Sequence, residues 1–252
     1  MKKYILGSIG VILCLVGVYT SQGIDIVYAN NQALVDPPGG VVLDLVNGQT
    51  VGNTITLAPA TPRNIVQFAF EYFASPASGT SFAGTPTLDF QLYLNNGSSV
   101  NGVASPGTSI YNNSFSLNSA VAPVSSGGVY KNLSFLAADF PAGGVVVSGD
   151  TLTWSVEVTG LSTGDQFGLV AFDPGAPGNV GTASDYYWLD NGSWQPYTNS
   201  VTGANSFGVE VWAQNTSNAP EQGNVLPVAI SGFVILAVLN RRQRQHGDSA
   251  NQ

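Results

Sequence analysis

The residues with the most chemical potential lie in one stretch, "DPGAPGNVGTASDYYWLDNGSWQPY", residues 173–197. It carries Asp173, Asp185 and Asp190 among glycines and prolines, with Tyr186, Tyr187, Trp188, Trp194 and Tyr197 interleaved. Carboxylates and backbone carbonyls on such a loop suit calcium, a hard ion that takes six to eight oxygens. The spacing matches no EF-hand pattern, and the alternative is that Asp173 and Asp190 bond the backbone of their own turns. The aromatics form a candidate platform for sugar rings, whose C–H faces stack on Trp and Tyr as apolar ligands do in aromatic-lined clefts. Tyr93 and Trp212, both on expected polar strand faces beside Gln91 and Glu210, would extend it. The competing reading packs these rings in the core or along an edge.

Glu71, Asp89, Glu157 and Glu210 also fall on expected polar faces. Two carboxylates about 5 to 10 Å apart can hydrolyse a glycosidic bond. No local motif groups these four, so the chain is read as a non-enzyme. Cys14 and His246 are the only residues of their types, and each lies in a terminal segment. The region between them therefore has no disulfide framework, no Cys/His zinc site, no thiol nucleophile and no histidine base. From residue 30 to 219 two basic residues, Arg63 and Lys131, face twelve acidic ones, a formal charge of −10. Such a surface repels phosphate backbones, which excludes nucleic acid as a partner.

These groups must be positioned by strands. "TLDFQLYL" alternates Leu88, Phe90, Leu92 and Leu94 with polar residues, and "DTLTWSVEVTG" alternates Leu152, Trp154, Val156 and Val158. "RNIVQFAFEYF" sets Val66, Phe68, Phe70 and Tyr72 on one side, and "FGVEVWAQ" sets Phe207, Val209 and Val211 opposite Glu210 and Trp212. Period two is the mark of a strand with one face buried. Turn signals such as Asn96-Gly97 and Asn191-Gly192 recur at short intervals. The expected fold is all-β, an antiparallel β-sandwich of nine to eleven strands, jelly-roll-like, over residues 30–214.

The ends read as addresses. Residues 1–29 have the order of a secretory signal: Lys2 and Lys3, an apolar run, then small residues, with cleavage after Ala29 or at the competing Gly23. A polar spacer, 215–224, precedes an apolar run over 225–239 and a basic tail, 240–252. As a helix that run spans ~22 Å, short of a hydrocarbon core about 30 Å thick. Arg241, Arg242 and Arg244 follow it directly and stay cytoplasmic by the positive-inside rule, which puts the domain on the far side of the membrane.

The order of Ala219-Pro220-Glu221-Gln222-Gly223, the apolar run and Arg241-Arg242-Gln243-Arg244 resembles the PEP-CTERM class of bacterial sorting signals and its Val-Pro-Asp-Ser-Gly variant. Gln222 stands where the named motif has its second proline. The resemblance covers about the last 30 residues, and the layout upstream is similar to exported domains found before such tails. It implies recognition by an exosortase, a membrane transpeptidase, cleavage near Pro220-Glu221, and delivery to the cell surface or exopolysaccharide matrix. An ordinary C-terminal membrane anchor is the alternative. The expectation is an exported structural or adhesive protein, with exopolysaccharide binding as the second reading.

Overall fold

In the computed structural model, the described residues are 23–30, 41–120, 128–172, 180–198 and 205–215. Among them the chain forms sixteen strands and one helical turn. The strands are β1 (Ile24–Asn30), β2 (Val41–Asp44), β3 (Thr50–Thr56), β4 (Asn64–Ser75), β5 (Thr87–Leu94), β6 (Ser99–Val100), β7 (Val103–Ala104) and β8 (Ser109–Ser116). After the turn α1 (Leu117–Ala120) come β9 (Val129–Phe135), β10 (Val145–Val146), β11 (Thr151–Thr159), β12 (Gln166–Phe172), β13 (Thr182–Asp190), β14 (Trp194–Tyr197), β15 (Ser206–Phe207) and β16 (Val209–Gln214). The count exceeds the expected nine to eleven because four of the strands are two-residue pieces that local periodicity does not register, and because β1 lies in the segment read as a leader.

Every pairing is antiparallel. One sheet of eight strands is built around the long β4, which pairs with β9, β10, β12 and β16. The other runs β14-β13-β3-β11-β5-β8, and β6 pairs with β7 separately. The alternation read from the sequence sets the inner faces. Leu88, Phe90 and Leu92 on β5, and Leu152, Trp154, Val156 and Val158 on β11, are fully buried. They meet Phe68, Phe70 and Tyr72 of β4 and Phe207, Val209 and Val211 of β15 and β16. Rings cross between the sheets: Phe68 lies 4.8 Å from Phe90 and 5.5 Å from Trp154, and Phe90 lies 4.4 Å from Phe135. Such inter-sheet ring packing is what a sandwich requires.

The sandwich begins earlier than expected. β1 pairs with β16 from Ile24↔Gln214 to Asn30↔Val209, and its Val27 and Tyr28 are buried. The expected domain start at Asn30 is therefore corrected to Ile24, because residues 24–29 supply a strand and part of the core. Among the described residues no helix is long and apolar enough to cross a membrane. The apolar run 225–239 and the sorting residues Pro220, Glu221, Arg241, Arg242 and Arg244 lie outside the described residues, as does Asp173.

Candidate functional site

The six-stranded sheet does not present a flat outer face. Trp194 on edge strand β14 and Tyr93 on β5 are separated by β13, β3 and β11. With strands ~4.8 Å apart, a flat sheet would hold their backbones at least ~19 Å apart. Their ring centroids are 5.6 Å apart in an edge-on contact, closer than the two side chains can reach across that gap. The β13–β14 end must therefore fold over the sheet's own outer face and make a trough.

Two local features permit the fold. β13 carries a bulge between Ala183 and Tyr187, where four steps of β13 oppose two of β3. Bulges bend and twist the strand that holds them. Asn53, buried on β3, pins the bulge by donating to Ser184 Oγ (3.2 Å), Tyr186 O (2.9 Å) and Asn205 O (3.4 Å). Next to it, Gly52 pairs with Trp188 on one side and Ser155 on the other. A Cβ there would stand 2.7 Å from the Trp154 carbonyl oxygen and 3.1 Å from Ser155 Cβ, so only glycine fits.

Trp188 is fully buried although it points away from the inter-sheet core. Its Nε1 donates to Thr54 Oγ1 at 2.9 Å, and Tyr186 meets its ring edge-on at 5.3 Å. Thr153 and Ser155, on the same outward side, are fully buried as well. Tyr93 and Trp194 stay half-exposed at the mouth, and the Tyr93 hydroxyl donates to Gln91 Oε1 at 2.6 Å. Burial, together with the Asp190 and Glu157 carboxylates, raises the Tyr93 hydroxyl above its ordinary value, so it stays protonated and keeps its bond to Gln91.

Beside the trough, on β5 and β8 and joined to it by the Tyr93–Gln91 hydrogen bond, lies a polar cleft of ≈ 260 Å³ lined by Asp89, Gln91, Asn112, Asn113 and Ser114. This is close to the lower end of small-molecule sites, about 300–1,000 Å³. Asp89 and Glu157 stand directly opposite in register. Asp89 accepts from the Ser114 hydroxyl, and Glu157 Oε2 accepts from Thr50 Oγ1 at 2.9 Å. The Asp89 carboxylate, the amides and the hydroxyl of the cleft, with the half-exposed Tyr93 and Trp194 rings beside it, suit a neutral polyhydroxyl ligand, which offers both donors and an apolar ring face.

The expected platform is thus brought together in part. Tyr93, Tyr186, Trp188 and Trp194 share the trough, with Trp188 as its buried floor. Tyr197 faces the other way, stacking on Tyr187 at 6.2 Å, and Tyr187 in turn meets Phe207 of the eight-stranded sheet. Trp212 lies on the outer side of that other sheet, paired with Gln67 and Ile26, so it cannot extend the surface around Tyr93. Asp185 and Asp190 are five positions apart on β13, and Asp190 Oδ1 accepts from the Gly192 amide at 2.8 Å, serving its own turn. Among the described residues no group of three or more His, Cys, Asp or Glu is placed to hold a metal ion. Sequence reasoning missed Gly52, Asn53, Asn112 and Asn113. The Gly52-Asn53 pair inside the strand "TVGNTIT" is the signal that marks a close backbone approach.

The other two acidic candidates lie on the eight-stranded sheet. Glu71 and Glu210 border one shallow hollow with Ala69, Asn132 and Gly208. Burial pushes the Glu71 carboxyl from its usual 4.5 up to about 7. Asn132 stands opposite it in register with a buried Oδ1 that lacks a partner, an acceptor suited to a protonated carboxyl. The folded protein holds this proton more tightly than the unfolded chain does. Its contribution to stability is therefore complete below about pH 4.5 and lost as pH rises through about 7. Because the side chain is half-exposed and solvent-screened, the loss is about 1–2 kcal/mol rather than the full linkage value. Glu71→Gln is expected to match the wild type near pH 4.5 and exceed it by that amount at pH 8, as read from urea unfolding of both proteins.

Compared with known proteins, the chain matches no protein-family model and no curated protein. Among solved structures it is similar to "Structure of infectious bursal disease virus Gt strain", with 13% sequence identity and a TM-score of 0.25. The match covers 85% of this chain and 42% of that one. A likeness of that degree carries no argument about function. The fold and site define an all-β antiparallel protein with a trough lined by aromatic and polar residues.

Proposed function

We propose that this chain is an exported bacterial cell-surface or extracellular-matrix protein whose sandwich serves a structural or adhesive role, and that it is not an enzyme. Export rests on the two ends of the sequence and on the acidic, histidine-free region between them. An exosortase-like transpeptidase would act near Pro220-Glu221, with the apolar run 225–239 held in the membrane at least until that cut. Signal cleavage falls after Gly23, which keeps β1 and its buried Val27 and Tyr28 in the mature protein. Successive strands that change sheets, as from β3 to β4 to β5, support a jelly-roll-like reading of the sandwich.

The observation that carries the adhesive role is the trough, where Tyr93 and Trp194 meet, together with the adjoining cleft of amides, a hydroxyl and the Asp89 carboxylate, reached through the Tyr93–Gln91 hydrogen bond. Its chemistry favours the second reading, exopolysaccharide binding, as the means of adhesion. Asp89 and Glu157 act there as hydrogen-bond acceptors for sugar hydroxyls. Export is tested by the intact mass of the protein recovered from its host's envelope. A chain that starts at Ile24 and ends near Glu221 is expected, and one that retains Arg241 to Gln252 would overturn the sorting assignment in favour of a permanent anchor.

A further inference from the structure

A sheet edge offers a row of unpaired backbone donors and acceptors, and proteins block such rows with charge, proline, bulges or shortness. Most described edges here are blocked. β14 is four residues long and contains Pro196, β9 carries Lys131, β2 is four residues ending at Asp44, and β1 carries Asp25 and a register shift. β8 differs: its sequence "SIYNNSFS" is eight residues without charge or proline, its one register shift is confined to its start, between Ser109 and Tyr111, and it forms the outer edge of the six-stranded sheet next to β5.

We propose that β8 is a self-association edge, where two copies of this chain pair antiparallel and join their six-stranded sheets. The direction of the backbone groups supports it. The Ser114 amide donates to the adjacent Asn113 Oδ1 at 2.9 Å and not to β5, so Ser114, and by alternation Asn112, turn their backbone groups to the open side, where a second strand would replace the Asn113 side chain as acceptor. Antiparallel pairing about a twofold axis must oppose residues on the same face. An axis through Asn113 sets Asn112 opposite Ser114 of the second copy, with both backbones aimed at each other. The same register sets Tyr111 opposite the second copy's Phe115 on the core side, an aromatic pair made twice. Tyr111 and Phe115 are half-buried here, while Asn112 and Ser114 are exposed.

Charge also selects this edge. A domain with a formal −10 repels itself, and β8 is the long edge at which two copies meet without opposing charges. The Tyr111 hydroxyl is already held by the Asp139 carbonyl at 2.6 Å, and Phe140 stacks on its ring at 4.8 Å. The flank is therefore ordered before any partner arrives. An eight-residue edge buries less than a standard interface, so pairing is weak and depends on concentration, which suits a protein crowded on a surface. The proposal does not depend on the polysaccharide reading. If both hold, the twofold brings two clefts side by side, because Asn112, Asn113 and Ser114 line each of them.

Sedimentation velocity of the full-length chain in mild detergent, without glycan and up to about 0.5 mM, the range of weak interfaces, tests it with two variants. N112K/S114K sets lysine opposite lysine twice and is expected to weaken association about tenfold. N112E/S114K sets glutamate opposite lysine twice and is expected to associate at least as well as the wild type. Both positions are exposed, and circular dichroism checks that the sandwich is intact. A wild-type chain that stays monomeric at the highest concentration would overturn the proposal, as would two variants that behave alike.

Discussion

Trp188→Ala is expected to destabilise the protein by about 3–5 kcal/mol, the range for removing a buried tryptophan, whereas Trp194→Ala costs about 1 kcal/mol. Both residues sit in the same trough, and their names alone would make them equal candidates for ligand stacking. Trp188 is fully buried above Gly52, with its indole N–H satisfied by Thr54 and its ring edge closed by Tyr186. Its loss leaves a cavity in the fully buried floor of the trough. Trp194 is half-exposed and loses mainly one edge-on contact with Tyr93, a kind of pair worth roughly 0.5–1.5 kcal/mol. Retention on polysaccharide affinity gels reverses the order of interest. Trp194→Ala is expected to abolish retention while keeping the fold, and a Trp194→Ala protein retained like the wild type would remove the main support for binding at the trough. Chemical denaturation measured beside the gels keeps the two effects apart.

The second large effect concerns tryptophan replaced by phenylalanine at two buried sites. Trp154 packs against Phe68, Phe70 and Phe207 at centroid distances of 5.5, 5.6 and 5.7 Å, yet its buried Nε1 has no hydrogen-bond partner. An unpaired buried donor costs about 1–3 kcal/mol. Trp154→Phe removes that penalty while it removes volume, and the two partly offset. Trp188→Phe removes similar volume but breaks a 2.9 Å hydrogen bond and withdraws a donor from Thr54. Trp188→Phe should therefore be less stable than Trp154→Phe by about 1–2 kcal/mol. Trp154→Ala, which has no such compensation, is expected to cost about 3–5 kcal/mol. Urea unfolding of the three variants under one set of conditions checks the order.

The inner faces of the sandwich were legible because each rests on a local rule. Period two marks Leu88, Phe90 and Leu92, and again Leu152, Trp154, Val156 and Val158, and all of them are buried. The same rule correctly sets Trp212 opposite Val211, but alternation tells which face of a strand a residue takes and not which sheet the strand joins. Tyr93 and Trp212 therefore looked like neighbours and lie on different sheets. The trough itself was not legible. It depends on a bulge in β13, on Asn53 reaching across to hold that bulge, and on Gly52 leaving room, three residues or features more than 100 positions apart in part. Likewise, the signal-like start concealed a strand, since Val27 and Tyr28 serve a small-residue cleavage pattern and a buried edge equally well.

The most direct test of the trough as the binding surface uses the chain's four tryptophans, which occupy four different environments. Trp154 lies between the sheets, Trp188 on the trough floor, Trp194 at its mouth and Trp212 on the far sheet. The measurement is a titration of the ¹⁵N-labelled protein with fragments of its host's exopolysaccharide, following the four indole N–H resonances. The account predicts that Trp194 shifts with saturable dependence while Trp154 and Trp212 stay in place. A Trp212 shift with Trp194 unmoved, or no shift at any of the four, would contradict it.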